Sequence, residues 1–327
     1  MQYYISFTDF IYVRLTLIVW VSNGLVNVTN LQKDAADLLS EIYEKYEFDK
    51  PLIIDCKDVT NVVDHSWDDL FKKMKTFKRN VFFINSIALR EKISGAFEEF
   101  CQHSGYTYVK KENHCSITFD QRFEYDSTIW TSIQKKLSAY CKDMILDSFR
   151  PHDHGEMKML SSTPFYANGE YTASKLIIKR ESFIWLSICF ADLIRNTIEH
   201  QQIGKVSGLP IKLLSVSLRS APFASAVCQL LNYPLQTIEF LGPKRNILNY
   251  KSLAKHGKEG YLYIGDYSFA GTEIRITQMY SYLNSAVLKH AFVLGSLFEN
   301  DRFPDFELYA MVNLQENKIA RYEIFKI

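Results

Sequence analysis

Apolar residues recur along this chain in two rhythms, and the switching between them predicts strands and helices in turn. From Ile11 to Val21 the residues are mainly β-branched and aromatic, the pattern of one buried strand. From Leu31 to Tyr46 the spacing lengthens. Leu31, Ala35, Leu38, Leu39, Ile42, Tyr43 and Tyr46 fall on one face of a helix with Asn30 as its N-cap. Strand Pro51–Asp55, helix Ser66–Phe77, strand Val81–Asn85, helix Ile87–His103 and strands Tyr106–Lys110 and Ser116–Phe119 follow. Ser66 caps the second helix, and Asp68 and Asp69 set negative charge against the positive end of its dipole. The pattern predicts an α/β layer, with helices covering a sheet.

Ile129, Ile133, Leu137, Tyr140 and Met144 recur every three or four residues, so residues 126–150 read as a helical connector, broken by the run from Arg150 to Gly155. The expected organisation is a first domain over 1–125, a connector over 126–154 and a second domain over 155–327. Asn168-Gly169 predicts a hairpin, with Tyr171–Ile178 as the returning strand. Next come helix Ser182–His200, strand Leu213–Leu218, helix Ala221–Leu231, strands Gln236–Phe240 and Gly260–Gly265, helix Thr272–Asn284, and strands Ala286–Leu294 and Leu308–Leu314. Strands alternating with helices imply a mostly parallel sheet with helices on both faces and ligands at the carboxyl ends of the strands.

Composition narrows the functional classes. A formal net charge of +1 argues against a broad nucleic-acid footprint. The one dense basic stretch, Lys72 to Arg79, reads as a solvated helix end. The six cysteines form no C-x-x-C pair and several sit in apolar runs, the usage of a reducing cytoplasm. The segment Phe10–Val21 falls short of the roughly 20 residues a spanning helix needs and lacks the basic start of a signal peptide, so no membrane contact is expected. His152 and His154, one residue apart in a loop without a second pair, read as surface residues, and no metal site is expected from them.

The informative chemistry lies between Tyr261 and Glu273. A hydrophobic strand leads to Asp266 and then to a small-residue turn, Ser268-Phe269-Ala270-Gly271-Thr272, that opens a helix. Such a turn exposes successive backbone N–H groups at a helix N-terminus and holds a phosphate without a lysine. Gly271 permits close backbone approach. The Ser268 and Thr272 hydroxyls add donors, and Asp266 would face a sugar hydroxyl or a metal. This segment resembles the ribose-phosphate loop of type I phosphoribosyltransferases, in which two adjacent acids precede the loop. Asp266 matches the second acid and Gly265 stands where the first would be. Three further segments fall in the order of orotate phosphoribosyltransferases. They are Asn168 to Thr172, the strand Leu213–Leu218 with the loop Arg219-Ser220-Ala221, and Lys255-His256-Gly257, which is similar to a mobile catalytic loop. The resemblance implies a 5-phosphate on residues 268–272, pyrophosphate on Arg219, Ser220 and Ala221, catalytic roles for Asp266, Lys255 and His256, and Mg²⁺ arriving with phosphoribosyl pyrophosphate.

The first domain resembles STAS domains, through Asp55, Val59, Val63, Asp64 and Ser66. The resemblance implies a protein-binding module, often for a histidine-kinase-like ATPase partner, with Ser66 as the phosphoacceptor candidate. A helix N-terminus there would stabilise a phosphate, although Ser66 reads equally as a plain N-cap. Two functions remain open: a regulatory or sensing protein that binds phosphoribosyl pyrophosphate or a nucleotide, and an active Mg²⁺-dependent phosphoribosyltransferase. The location expected is cytoplasmic, and a homodimer is compatible with either.

Overall fold

The computed structural model describes residues 2–15, 18–21, 24–27, 37, 40–42, 50–57, 68–78, 80–85, 90–110, 114–119, 127–160, 165–203, 211–238, 260–283, 286–298 and 305–324. The chain divides into two compact units, Met1–Ile133 and Gln134–Ile327.

The first unit contains β1 (Gln2–Ser6), β2 (Ile11–Leu15), β3 (Ile18–Val21), β4 (Gly24–Asn27), β5 (Leu52–Asp55), α1 (Asp68–Phe77), β6 (Val81–Ile84), α2 (Arg90–Gln102), β7 (Thr107–Lys110) and β8 (His114–Thr118). Six strands form one sheet in the order β1-β2-β5-β6-β8-β7. Its centre, β2-β5-β6, is parallel, and the remaining pairs are antiparallel. β5 and β6 are buried throughout, as their uninterrupted apolar runs require of strands covered on both faces. Leu70 and Met74 of α1 and Phe97 and Phe100 of α2 join Ile54 and Phe83 in the core. Of the expected helix Leu31–Tyr46, the described residues 37 and 40–42 are helical.

The single strand expected over Ile11–Val21 is instead two. β2 lies in the sheet, with β1 running antiparallel to it. β3 pairs with β4 in a separate two-stranded ribbon. Apolar composition alone does not distinguish one long strand from two short ones with different partners.

The second unit holds most of α3 (Ser127–Leu146), within which the division of the chain falls, followed by β9 (Phe149–Pro151), β10 (Lys158–Met159), β11 (Phe165–Ala167), β12 (Gly169–Tyr171), α4 (Ala173–Ile178), α5 (Arg180–Gln201), β13 (Ile211–Ser215), α6 (Ala221–Leu231), β14 (Leu235–Thr237), β15 (Gly260–Ser268), α7 (Thr272–Leu283), β16 (Val287–Ser296), β17 (Glu307–Asn313) and β18 (Tyr322–Ile324). Five strands form a sheet in the order β14-β13-β15-β16-β17, with every pair parallel. Tyr261 and Tyr263 of β15 pack with Ile274 and Tyr280 of α7 in one apolar cluster. The chain is thus mixed α/β with parallel pairing in both units.

Asn168-Gly169 is not a hairpin turn. β11 pairs with β10 and β18, whereas β12 pairs with β9. The dipeptide carries the chain from one small sheet to another. Asn168 Nδ2 donates to the Ile319 carbonyl at 3.0 Å, and its Oδ1 accepts from Arg321 N at 2.7 Å. A Cβ on Gly169 would come within 2.4 Å of the Arg150 carbonyl oxygen, so glycine is there for close strand approach rather than for a turn. The returning strand expected over Tyr171–Ile178 is also corrected. Tyr171 ends β12, Thr172 is an extended residue leading into the helix, and Ala173–Ile178 is helix α4, burying Ala173 and Leu176. β15 runs three residues past the expected Gly265, so Asp266 and Ser268 are strand residues and the turn itself is Phe269–Gly271.

The cysteines are free, and the Cys141 and Cys189 thiols lie 3.2 Å apart. Among the described residues no helix is long and apolar enough to cross a membrane, and no group of three or more His, Cys, Asp or Glu could hold a metal ion.

Candidate functional site

Strand order places the site before any side chain does. Counted along the chain, the five-stranded sheet reads second, first, third, fourth, fifth. The direction of progression reverses between β13 and β15. Adjacent parallel strands at such a switch point send their following loops apart and open a crevice at their carboxyl ends. The loop after β13 is Val216–Ser220, leading into α6. The loop after β15 is Phe269–Gly271, leading into α7. These are the two loops that the sequence singled out.

In the second loop Gly271 has φ +67°, a left-handed conformation that favours glycine. Its carbonyl accepts from Arg275 N at 2.9 Å, closing the first turn of α7. Ser268 is 5% exposed, and its Oγ has no hydrogen-bond partner among the described residues. A buried hydroxyl without a partner is costly, so this oxygen is a place where an external group would be stabilised. The Ser268 carbonyl is already used, accepting from Leu297 N.

Asp266 lies two residues earlier on the same face of β15, half-buried. Its Oδ1 accepts from Tyr267 N at 2.9 Å. Burial pushes its carboxyl above the ordinary carboxylate range, against the opposing pull of nearby backbone N–H groups and of Arg219. Glu273, in the first turn of α7, shows the same direction. Burial raises it and the Asp266 charge raises it further, while the Tyr263 hydroxyl and Arg219 lower it. The Arg219 charge pulls both acids in the same direction, in keeping with β13 and β15 being adjacent parallel strands whose following loops lie at the same end of the sheet.

The β13 loop is held by serines. Ser220 is fully buried; its Oγ lies 3.0 Å from Ser215 Oγ and donates to the Ser217 carbonyl. Arg219 N donates to Ser217 Oγ at 3.1 Å, and Ala221 N to the Ser217 carbonyl at 3.0 Å. Two of the three backbone donors expected to face pyrophosphate are therefore occupied within the turn. The exposed Arg219 side chain is the charged group this loop offers to an anion. Lys255, His256 and Ser66 lie outside the described residues.

Four participants were not singled out from the sequence. Glu273 and Tyr263 are joined by a hydrogen bond from the Tyr263 hydroxyl to Glu273 Oε1. The Tyr267 hydroxyl meets Ser148 Oγ at 2.6 Å. Tyr171 packs against Tyr267 and Phe149 and receives a hydrogen bond from Asn317 Nδ2. The available signal was the period of two along β15, which sets Tyr263 and Gly265 on one face and Asp266 and Ser268 on the other.

No family model matches the chain, and no curated protein does. Solved structures similar to it include three phosphoribosyltransferases. Orotate phosphoribosyltransferase from Aeropyrum pernix is 16% identical, with 55% of this chain and 94% of that one covered and a TM-score of 0.38. Adenine phosphoribosyltransferase from Thermoanaerobacter pseudethanolicus is 10% identical, with 52% and 98% covered and a TM-score of 0.37. A phosphoribosyltransferase from Corynebacterium diphtheriae is 8% identical, with 56% and 98% covered and a TM-score of 0.38. At identities and TM-scores this low the likeness decides nothing by itself.

Proposed function

We propose that the second unit binds a phosphoribosyl compound, phosphoribosyl pyrophosphate or a nucleotide, in the crevice between β13 and β15, and that it acts as a binding or sensing protein. One observation carries this reading. The buried, unpartnered Ser268 hydroxyl lies beside a left-handed Gly271 at the start of a twelve-residue helix, at the switch point of a parallel sheet. Phosphate oxygens would accept from backbone N–H groups of residues 269–272 and from the hydroxyls of Ser268 and Thr272. Phe269 and Ala270 would contribute backbone alone. Asp266 would accept a sugar hydroxyl, and the Arg219 guanidinium would face a second phosphate.

The internal use of Arg219 N and Ala221 N favours binding over turnover, because it removes donors that a leaving pyrophosphate would need. The second reading, an active transferase, is favoured by the action of the Arg219 charge on two carboxylates. Mg²⁺ would enter on the phosphates, keeping several of its waters, with Asp266 and Glu273 as nearby oxygen donors. In the binding reading the first unit carries the contact to a protein partner, an expectation resting on its resemblance to STAS domains. Thermal unfolding in a series of phosphoribosyl pyrophosphate concentrations with Mg²⁺ should raise the melting temperature progressively, as a ligand of the native state does. Pyrophosphate release measured in the same mixtures stays at background for a binder, whereas steady release shows a transferase.

A further inference from the structure

We propose that Glu273 is the second sugar-binding carboxylate of the site, standing in for a side chain that position 265 cannot carry. This rests on the phosphate-binding reading above and names the group that recognises the sugar.

The argument starts from Gly265. A Cβ built there would lie 2.7 Å from Cε1 and 2.9 Å from the hydroxyl oxygen of Tyr263, closer than such atoms approach. The Tyr263 ring lies across the space a residue-265 side chain would enter. Tyr263 is itself buried, with 3% exposure, and its hydroxyl donates to Glu273 Oε1. The three residues form one device: a glycine that leaves room, a tyrosine that fills it, and a carboxylate that the tyrosine holds.

That carboxylate stands in the first turn of α7, two residues past the left-handed Gly271, and its charge and that of Asp266 repel. Ser268, on the Asp266 face of the strand, supplies an independent sign of a ligand: a hydroxyl more than nine-tenths buried and left without a partner. Tyr263 engages Oε1, and Oε2 has no hydrogen-bond partner among the described residues. Two carboxylates beside a phosphate loop match a sugar phosphate bearing adjacent hydroxyls, each hydroxyl donating to one acid. A bare phosphate held on the loop would gain nothing from either acid.

The test compares ribose 5-phosphate with inorganic phosphate by calorimetric titration of the full chain, wild type against Glu273→Gln. In the variant the amide oxygen can still accept from Tyr263, but the amino group left toward the sugar donates and cannot accept a hydroxyl proton. The readout is the ratio of the two affinities, which cancels the charge change felt by both ligands. Wild type should favour ribose 5-phosphate by about tenfold, and the variant should lose that preference while still binding phosphate. A variant that keeps the wild-type ratio overturns the proposal and leaves the phosphate site standing. A wild type that binds both ligands equally also overturns it. A wild type that binds neither overturns the phosphate reading itself, and this proposal with it. Should Glu273→Gln not fold, Glu273→Asp withdraws the carboxylate by one methylene and is read in the same way.

Discussion

Each unit places an aspartate at or near the carboxyl end of a central parallel strand, and the two acids are treated oppositely. Asp55, at the end of β5, is 1% exposed and receives four donors: Tyr12 hydroxyl at 2.6 Å, Arg14 Nη1 at 2.8 Å, Lys57 N at 3.0 Å and Asn85 Nδ2 at 2.9 Å. Asn85 adopts φ +54° at the end of β6. A carboxylate has about four lone-pair sites, and all are filled. Asp266, at the end of β15, receives only backbone donors nearby and is held above its ordinary range by burial. The first acid closes a core. The second is left with capacity to spare beside an unpartnered serine and a left-handed glycine. The position of an acid at a strand end therefore says little by itself, and its complement of donors separates structure from function.

That contrast is sharpest in stability. Asp55→Ala removes the buried carboxylate that Tyr12, Arg14, Lys57 and Asn85 all engage and should destabilise the first unit by about 3–5 kcal/mol in urea unfolding. Asp266→Asn should change stability by no more than about 1 kcal/mol. Equal losses in the two variants would erase the distinction. Gly265→Asp comes next. It must displace the buried Tyr263 ring and should lose about 1–3 kcal/mol without gaining affinity for a sugar phosphate. A stable variant with improved binding would show that the acid can simply be returned to the strand. Gly271→Ala should cost about 1–2 kcal/mol through its left-handed backbone. Ser220→Ala should lose about 1 kcal/mol with its buried hydrogen bonds, read from the same unfolding curves.

The smallest expected effect is in pH. Asp266 and Glu273 have raised folded values, so the folded chain holds their protons where the unfolded chain has released them. Their contribution is whole below the unfolded carboxylate value, about 4, and is lost as pH rises through the folded values. The double variant Asp266→Asn, Glu273→Gln should therefore gain on wild type as pH rises through that window. A difference that shrinks with rising pH would reverse the sign of the burial argument.

The parts legible in the sequence were those where local chemistry and tertiary setting agree. Helix α6, Ala221–Leu231, has the expected bounds, because an apolar run bracketed by Ser220 and Asn232 needs little from elsewhere. Gly271 stood out because a turn whose backbone must come close to a phosphate calls for glycine, and its positive φ adds a second reason. Asn168-Gly169 misled because the same dipeptide serves hairpin turns and close strand crossings, and the choice depends on Phe149–Pro151, far away in sequence. Ile177 and Ile178 suggested a strand although they end helix α4, where Ile178 is 82% exposed. Glu273 was hidden because its role depends on Tyr263 lying across Gly265, a relation that spacing does not encode.

The most direct test of the central claim is a calorimetric titration of the full chain with phosphoribosyl pyrophosphate and Mg²⁺, beside Gly271→Val. Saturable binding by wild type that is abolished in a folded Gly271→Val protein is the predicted result. Absence of binding by wild type at millimolar ligand, or undiminished binding by the variant, would contradict it.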